Sequence, residues 1–170
     1  ENLDELLGDK HESDQNVDFA FDAGGLSVVN PRGDVTISGT SDDNRIHIAI
    51  HKQVFASSDS DADKKAKQLT PTTGAAGSSF ALTMPAIDGA RSDLMITVPS
   101  TAATMVTANR GDIHVSAIKA AVNVTANRGD VELSAITGQT TAHVNNHSSS
   151  ITARSMDGAI VIQGHAQDLT

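Results

Sequence analysis

The sequence predicts an all-β chain coiled as a β-solenoid, with rungs of about 18–20 residues and one short inserted surface helix. Three observations predict it. The string VTANRGDIHVSAI at 106–118 returns as VTANRGDVELSAI at 124–136, an offset of 18. Apolar residues alternate within each copy (Ile113 and Val115, Val122 and Val124, Val131 and Leu133), with His114, Asn123 and Glu132 between them. Period two marks a strand with one buried and one wet face. Aromatic residues are only 2% of the chain, with four Phe, no Trp and no Tyr, which suits a thin interior of stacked Val, Ile, Leu and Ala.

The elements follow in order. Residues 1–16 are polar and acidic and read as a linker, with a short helix over Leu3–Leu7. Residues 17–170 read as one solenoid domain, irregular over 17–100 and regular over 101–170. Val17–Phe21 alternates as a first strand, and Ala23-Gly24-Gly25 turns the chain. Leu26–Val29 and Val35–Ile37 flank a first Asn-Pro-Arg-Gly-Asp corner, an early relative of the later repeats. Arg45–Gln53 alternates through Ile46, Ile48 and Ile50, placing His47 and His51 on the other face.

Residues 57–69 open with acids and close with lysines. Acids at the start and Lys64, Lys65 and Lys67 further on match a helix dipole, and Ser60 with Asp63 resembles a capping box, so a surface helix is expected near 60–69. Thr70–Ser79 reads as a loop. Phe80–Met84 and Leu94–Val98 read as strands. A third repeat, Val144–Gly158, realigns once two residues are added around His147–Ser150, and a partial fourth begins at Ala159. A unit this short cannot bury its apolar face alone but can when stacked on neighbours. The rival is an antiparallel meander or sandwich of similar hairpins; units at one fixed period favour the coil. The exposed edges at the ends of such a coil need covering, by Gly164–Thr170 or by a partner.

The run FDAGGLSVVNPRGDVTISGTSDDNRIHIAIHKQ, the later Leu94-Met-Ile-Thr-Val-Pro99 and the repeated Asn-x-Gly-Asp units resemble the bacterial DUF4097 putative adhesin family, over roughly residues 17–168. The resemblance implies a right-handed, single-stranded β-helix and an extracytoplasmic setting at the cell surface, in the periplasm or secreted. It carries no catalytic residues. The first residue, Glu1, leads to the expectation that a leader or membrane anchor lies upstream.

Charge and composition narrow the function. Twelve basic against 21 acidic residues leave a formal net charge of −9, which disfavours nucleic acid and anionic lipid. Without cysteine there are no zinc ribbons, thiol nucleophiles or disulfides. No run of 18 apolar residues occurs.

Three Arg-Gly-Asp tripeptides invite comparison with an integrin-type ligand. The corner reading is stronger: Gly33, Gly111 and Gly129 supply positive φ, Asp34, Asp112 and Asp130 accept backbone N–H bonds, and Asn30, Asn109 and Asn127 stack between rungs. Asp59-Ser-Asp61-Ala-Asp63 begins like an EF-hand loop but has Lys64 where glycine is needed and Thr70 where glutamate is needed. His47 and His51 share a strand face about 13 Å apart, too far for one ion. His143 and His147 flank a bulging corner; both pairs read as exposed polar positions. Asn123-Val-Thr125 and Asn146-His-Ser148 match the glycosylation pattern and say little.

The expectation is therefore no catalytic, cofactor-binding or metal site and no cofactor. The chain reads as a non-enzymatic adhesion or protein-interaction module, with an unknown protein or surface glycan as partner, as a monomer or a dimer joined at solenoid ends. The alternatives are the ectodomain of a membrane-anchored sensor and a carbohydrate-active β-helix enzyme acting through Glu132.

Overall fold

The computed structural model describes residues 8–146 and 149–170. The expected Leu3–Leu7 helix lies outside them. The chain is mostly strand, arranged in two mixed sheets that do not close into a barrel. The strands are β1 (Asp9–Ala20), β2 (Gly25–Arg32), β3 (Val35–Ser38), β4 (Arg45–Ala56), β5 (Thr72–Ala76), β6 (Ser79–Thr83), β7 (Ala90–Thr97), β8 (Ala103–Arg110), β9 (Ile113–Ile118), β10 (Val122–Arg128), β11 (Val131–Ile136), β12 (Thr140–Asn145), β13 (Ser150–Arg154), β14 (Ile160–His165) and β15 (Asp168–Leu169). Helix α1 spans Asp59–Gln68. The first sheet runs β1-β4-β7-β3-β9-β11-β13-β15 and the second β14-β12-β10-β8-β2-β6-β5.

From β8 onward the chain alternates between the sheets, and each strand pairs in parallel with the strand one repeat away. Val106 is opposite Val124, and Val115 opposite Leu133, so the 18-residue offset of the sequence is the pairing register. The register then steps. Ala126 pairs with Val144, an offset of 18, but Val131 pairs with Ile151, an offset of 20. The two added residues expected around His147–Ser150 thus fall between Asn145 and Ser150.

The first corner has joined this stack across a long insertion. β2 pairs in parallel with β8, and β3 with β9, although some 80 residues separate them: Val28 is opposite Val106 and Val35 opposite Ile113. The intervening chain builds the far side. β4 runs antiparallel to β7 and β1 antiparallel to β4 along its whole length. Parallel stacking and antiparallel pairing therefore coexist in one mixed sheet.

Residues 9–16, expected as linker, form most of β1. Only Val17 and Phe19 of this strand pack on the core. The rest of β1 is held by backbone pairing and by side chains meeting across to β4, which an apolar-period criterion does not detect. The expected loop Thr70–Ser79 likewise contains β5, exposed at every residue and joined to β6 by a hairpin with Gly77 at φ 61°. Helix α1 is capped by Ser58, not Ser60. The Ser58 side chain accepts from Asp61 N at 3.1 Å, and Lys52 Nζ and Lys65 Nζ clamp the helix to β4 through Ala66 O and Phe55 O.

The core lies between the sheets as columns. Leu82, Val28, Val106 and Val124 follow one another across the second sheet, and Val35, Ile113, Val131 and Ile151 across the first, all at 1% exposure or less. Where each repeat leaves the first sheet, Ala117, Ala135 and Ser155 adopt left-handed backbone with φ of 60°, 52° and 54°. An L-residue is strained there and glycine is not. Exposed Ala135 loses little packing if trimmed. Ala135→Gly is expected to raise stability by about 0.5–1 kcal/mol, seen as a higher urea midpoint at unchanged slope.

Candidate functional site

The repeated Asn-Arg-Gly-Asp corners are where chemistry-bearing side chains gather. Each joins a strand of the second sheet to the next strand of the first, so equivalent residues fall into columns. Asp112 N donates to Asp34 Oδ1, Asp130 N to Asp112 Oδ1 and Ser150 N to Asp130 Oδ1, each at 2.8 Å. Each carboxylate therefore accepts from the unit stacked on it rather than from its own turn. Asp93 extends the column at the other end, accepting from Asp34 N at 2.8 Å and from Arg91 Nη2 at 2.7 Å. Asp93 was not expected here. Its signal was legible: Asp93-Leu-Met-Ile96 has the Asp–apolar–x–apolar order of Asp34-Val-Thr-Ile37 and Asp112-Ile-His-Val115.

The asparagines divide. Asn127 Nδ2 donates to Asn109 Oδ1 at 3.1 Å and Asn145 Nδ2 to Asn127 Oδ1 at 2.7 Å, an amide ladder on the outside. Asn30 does not join it. It is 1% exposed and donates to Ser92 O of β7 at 2.9 Å. The glycines are required chiefly by close approach. A Cβ on Gly33 would strike Ser92 O, on Gly111 Gly33 O, and on Gly129 Gly111 O. Gly33 has φ 129°, whereas Gly129 is not among the positive-φ residues, contrary to the expectation that all three supply a left-handed turn.

The Asp column accounts for part of the cohesion between units. Asp112→Ala leaves Asp130 N without its acceptor and is expected to cost about 1 kcal/mol; Asp112→Asn keeps an acceptor oxygen and recovers most of it. Equal losses for the two in urea denaturation would show that charge, not the hydrogen bond, matters.

Histidines and carboxylates pair across the outer face of the first sheet. His51 Nδ1 lies 2.8 Å from Asp14 and its Nε2 3.2 Å from Glu12; His47 Nε2 lies 2.8 Å from Asp43; His114 Nδ1 lies 2.8 Å from Glu132. His47 and His51 thus have separate partners. Among the described residues no group of three or more His, Cys, Asp and Glu is arranged to hold a metal ion. His147, of the expected His143/His147 pair, lies outside the described residues.

Hydrogen bonds to Asp14 and then Glu12 hold the His51 imidazole above its usual range, and the same contact holds Glu12 below the usual carboxylate range. Because the folded value is raised, this pairing stabilises fully below about pH 6.5, the unfolded value, and fades as pH rises through the folded one. The melting temperatures of the native protein and His51→Gln are expected to differ most near about pH 6 and to converge toward about pH 8. A gap independent of pH would exclude this linkage.

Two hollows lie on the surface. One, of about 500 Å³, lies over Met95 and Ala49 on the first sheet, walled by His47 and Asp18. The other, of about 520 Å³, lies between Arg32, Asn109 and Arg110 on one wall and Leu69, Pro85 and Ile87 on another.

No protein-family model matches the chain, and no curated protein matches it. Solved structures do. A putative cell adhesion protein from Clostridium sporogenes is similar at a TM-score of 0.58 and 11% identity, covering 95% of this chain and 99% of that one. A putative adhesin from Bacteroides fragilis gives 0.39 at 12% identity over 92% and 96% of the two chains, and one from Parabacteroides merdae 0.38 at 7% over 96% and 98%. The first likeness is one of overall fold, extending over nearly the whole of both chains.

Proposed function

We propose that the chain is a non-enzymatic adhesion or protein-interaction module, a single β-solenoid domain presented outside the cytoplasm. The observation that carries this reading is the use made of the repeated polar residues. The Asp and Asn columns hold one unit on the next, at 2.7–3.1 Å, and leave two long faces of regularly spaced side chains. A stack tied in this way is a stiff display surface, with its binding groups fixed before the partner arrives. The fold likeness to the Clostridium sporogenes protein, described as a putative cell adhesion protein, supports the same reading. So does the DUF4097-like order of corner, insertion and Gly-Asp units.

The test is adhesion itself. Beads coated with the chain are expected to be retained on bacterial or host cell surfaces above beads carrying an inert protein of equal net charge. Equal retention would overturn the reading. Turnover of an acidic polysaccharide, lost in Glu132→Gln, would replace it with the enzymatic one.

A further inference from the structure

We propose that the outer face of the second sheet is a self-association surface, on which a second copy of this chain packs face to face. The inference is independent of the adhesion reading and concerns a different surface from the Asn-Arg-Gly-Asp corners. It places the contact on a face of the coil rather than at its ends.

Strand alternation leaves every second residue of this sheet outside. Ser27, Met105, Asn123, Thr141 and Val161 are opposite one another in turn across β2, β8, β10, β12 and β14. Two residues further along, a second rank runs the same way from Val29 to Gln163. In β6 the two ranks continue as Ala81 and Thr83. The residues between them, such as Val28, Val106 and Val124, are buried. Neither rank holds Asp, Glu, Lys or Arg, and His143 is the one titratable side chain in the two. The third rank is the amide ladder of Asn109, Asn127 and Asn145. The outer face of the first sheet is the opposite case, with His47, His51 and His114 each against a carboxylate.

Charge depletion, with Met enriched, marks the core of an interface. Val29, Met105 and Val161 stand on this face at 38%, 50% and 39% exposure. Beside Met105 is a smaller hollow of about 330 Å³, walled by Ser79, Ala103, Asn123 and Thr141, with no charged lining residue among the described residues. A flexible thioether next to an open hollow is self-complementary, because across a two-fold axis each Met105 can fill the hollow of the other copy.

Charge and area select the occupant. A strongly charged partner finds nothing to pair with here, and covering the face strips water from no ion pair. Two copies each carry a formal net charge of −9 and repel in general. Meeting through this face keeps the ion pairs of the first sheet on the outside. The six strands from β14 to β6, at about 4.8 Å each and about 3.3 Å per residue over roughly five residues, make a plane of roughly 500 Å². Two such planes come to roughly 1,000 Å² before side-chain relief is added, which reaches the area a specific pairing needs. The open end of the coil, one strand of each sheet about 10 Å apart, offers only roughly 170 Å². Sheets packed in this way lie about 10 Å apart with strands within about 30° of alignment.

The full chain is sedimented from about 1 μM to about 1 mM, and a monomer–dimer equilibrium with a dissociation constant of about 10–100 μM is expected. Met105→Glu should weaken it at least about tenfold, since the new charges are buried against an uncharged plane. Met95→Glu adds the same charge at the most exposed apolar residue of the first sheet, and Leu169→Glu adds it at the open end. Both should associate like the native protein. Added salt screens the repulsion of two acidic chains, so association should strengthen. Met105 is exposed, so its variant should melt where the native protein does; if it does not fold, Asn123→Glu, opposite it in the rank, decides. A chain that stays monomeric throughout leaves the face to another occupant and overturns the proposal. So would a face variant that dimerises normally, an equal loss in Met95→Glu or Leu169→Glu, or association that weakens with salt. The bead assay keeps the two readings apart. Adhesion by a chain that stays monomeric refutes the dimer alone, and a dimer without adhesion refutes the adhesion role alone.

Discussion

Gly129→Ala is expected to destabilise the protein by about 3 kcal/mol, a fall in melting temperature of roughly 6–12 °C for a chain of this length. The added Cβ would run into Gly111 O and lie 3.1 Å from Asp112 N. Both are backbone atoms of the neighbouring unit, so neither can rotate away. Gly129 is not in positive-φ backbone, so the effect is steric and not conformational. Relief requires the two units to part, which lengthens Asp130 N to Asp112 Oδ1 at 2.8 Å and Gly111 N to Arg128 O at 3.0 Å. Gly77→Ala makes the comparison: nothing lies within 4 Å of its Cβ position, and only its φ of 61° opposes the change. A melting temperature for Gly129→Ala within about 2 °C of the native protein would show that the units are not so closely apposed.

Ile113→Ala is expected to cost about 2–5 kcal/mol, because a cavity is left as well as transfer energy lost. Ile113 is fully buried, with Val35 on one side and Val131 on the other. Neighbours on both sides are fixed by their own strand pairing and cannot collapse into the gap. Ile162→Ala should cost less. Its strand, β14, is the edge of the second sheet, and Ile162 is only partly buried. Equal losses at the two positions, read from urea midpoints at matched slopes, would contradict the column description of the core.

Much of the site was legible because the repeat and its polar residues share one period. Identical strings 18 apart predict that Asn109 is next to Asn127, and their side chains are 3.1 Å apart. What the aspartates do was less legible. A turn residue usually binds its own turn, and only the parallel register shows the bond reaching one unit further. The uncharged face was equally hidden. On the page Val29 and Thr107 are 78 residues apart, and their pairing depends on β2 lying against β8.

By itself the sequence determined the strand-rich character, the 18-residue period, the two-residue step within the third repeat and the surface helix. All are local signals, carried by alternation, turn residues and the order of charges along a few turns. Only the tertiary structure decided that the first corner stacks on the later repeats across its insertion. It alone decided that residues 9–16 extend the first strand and that β5 is a strand, that Asn30 is buried away from its fellows, and that the glycines are dictated by the unit below. Those outcomes depend on which backbone lies within hydrogen-bonding reach of which, and edge pairing needs no apolar pattern to announce it.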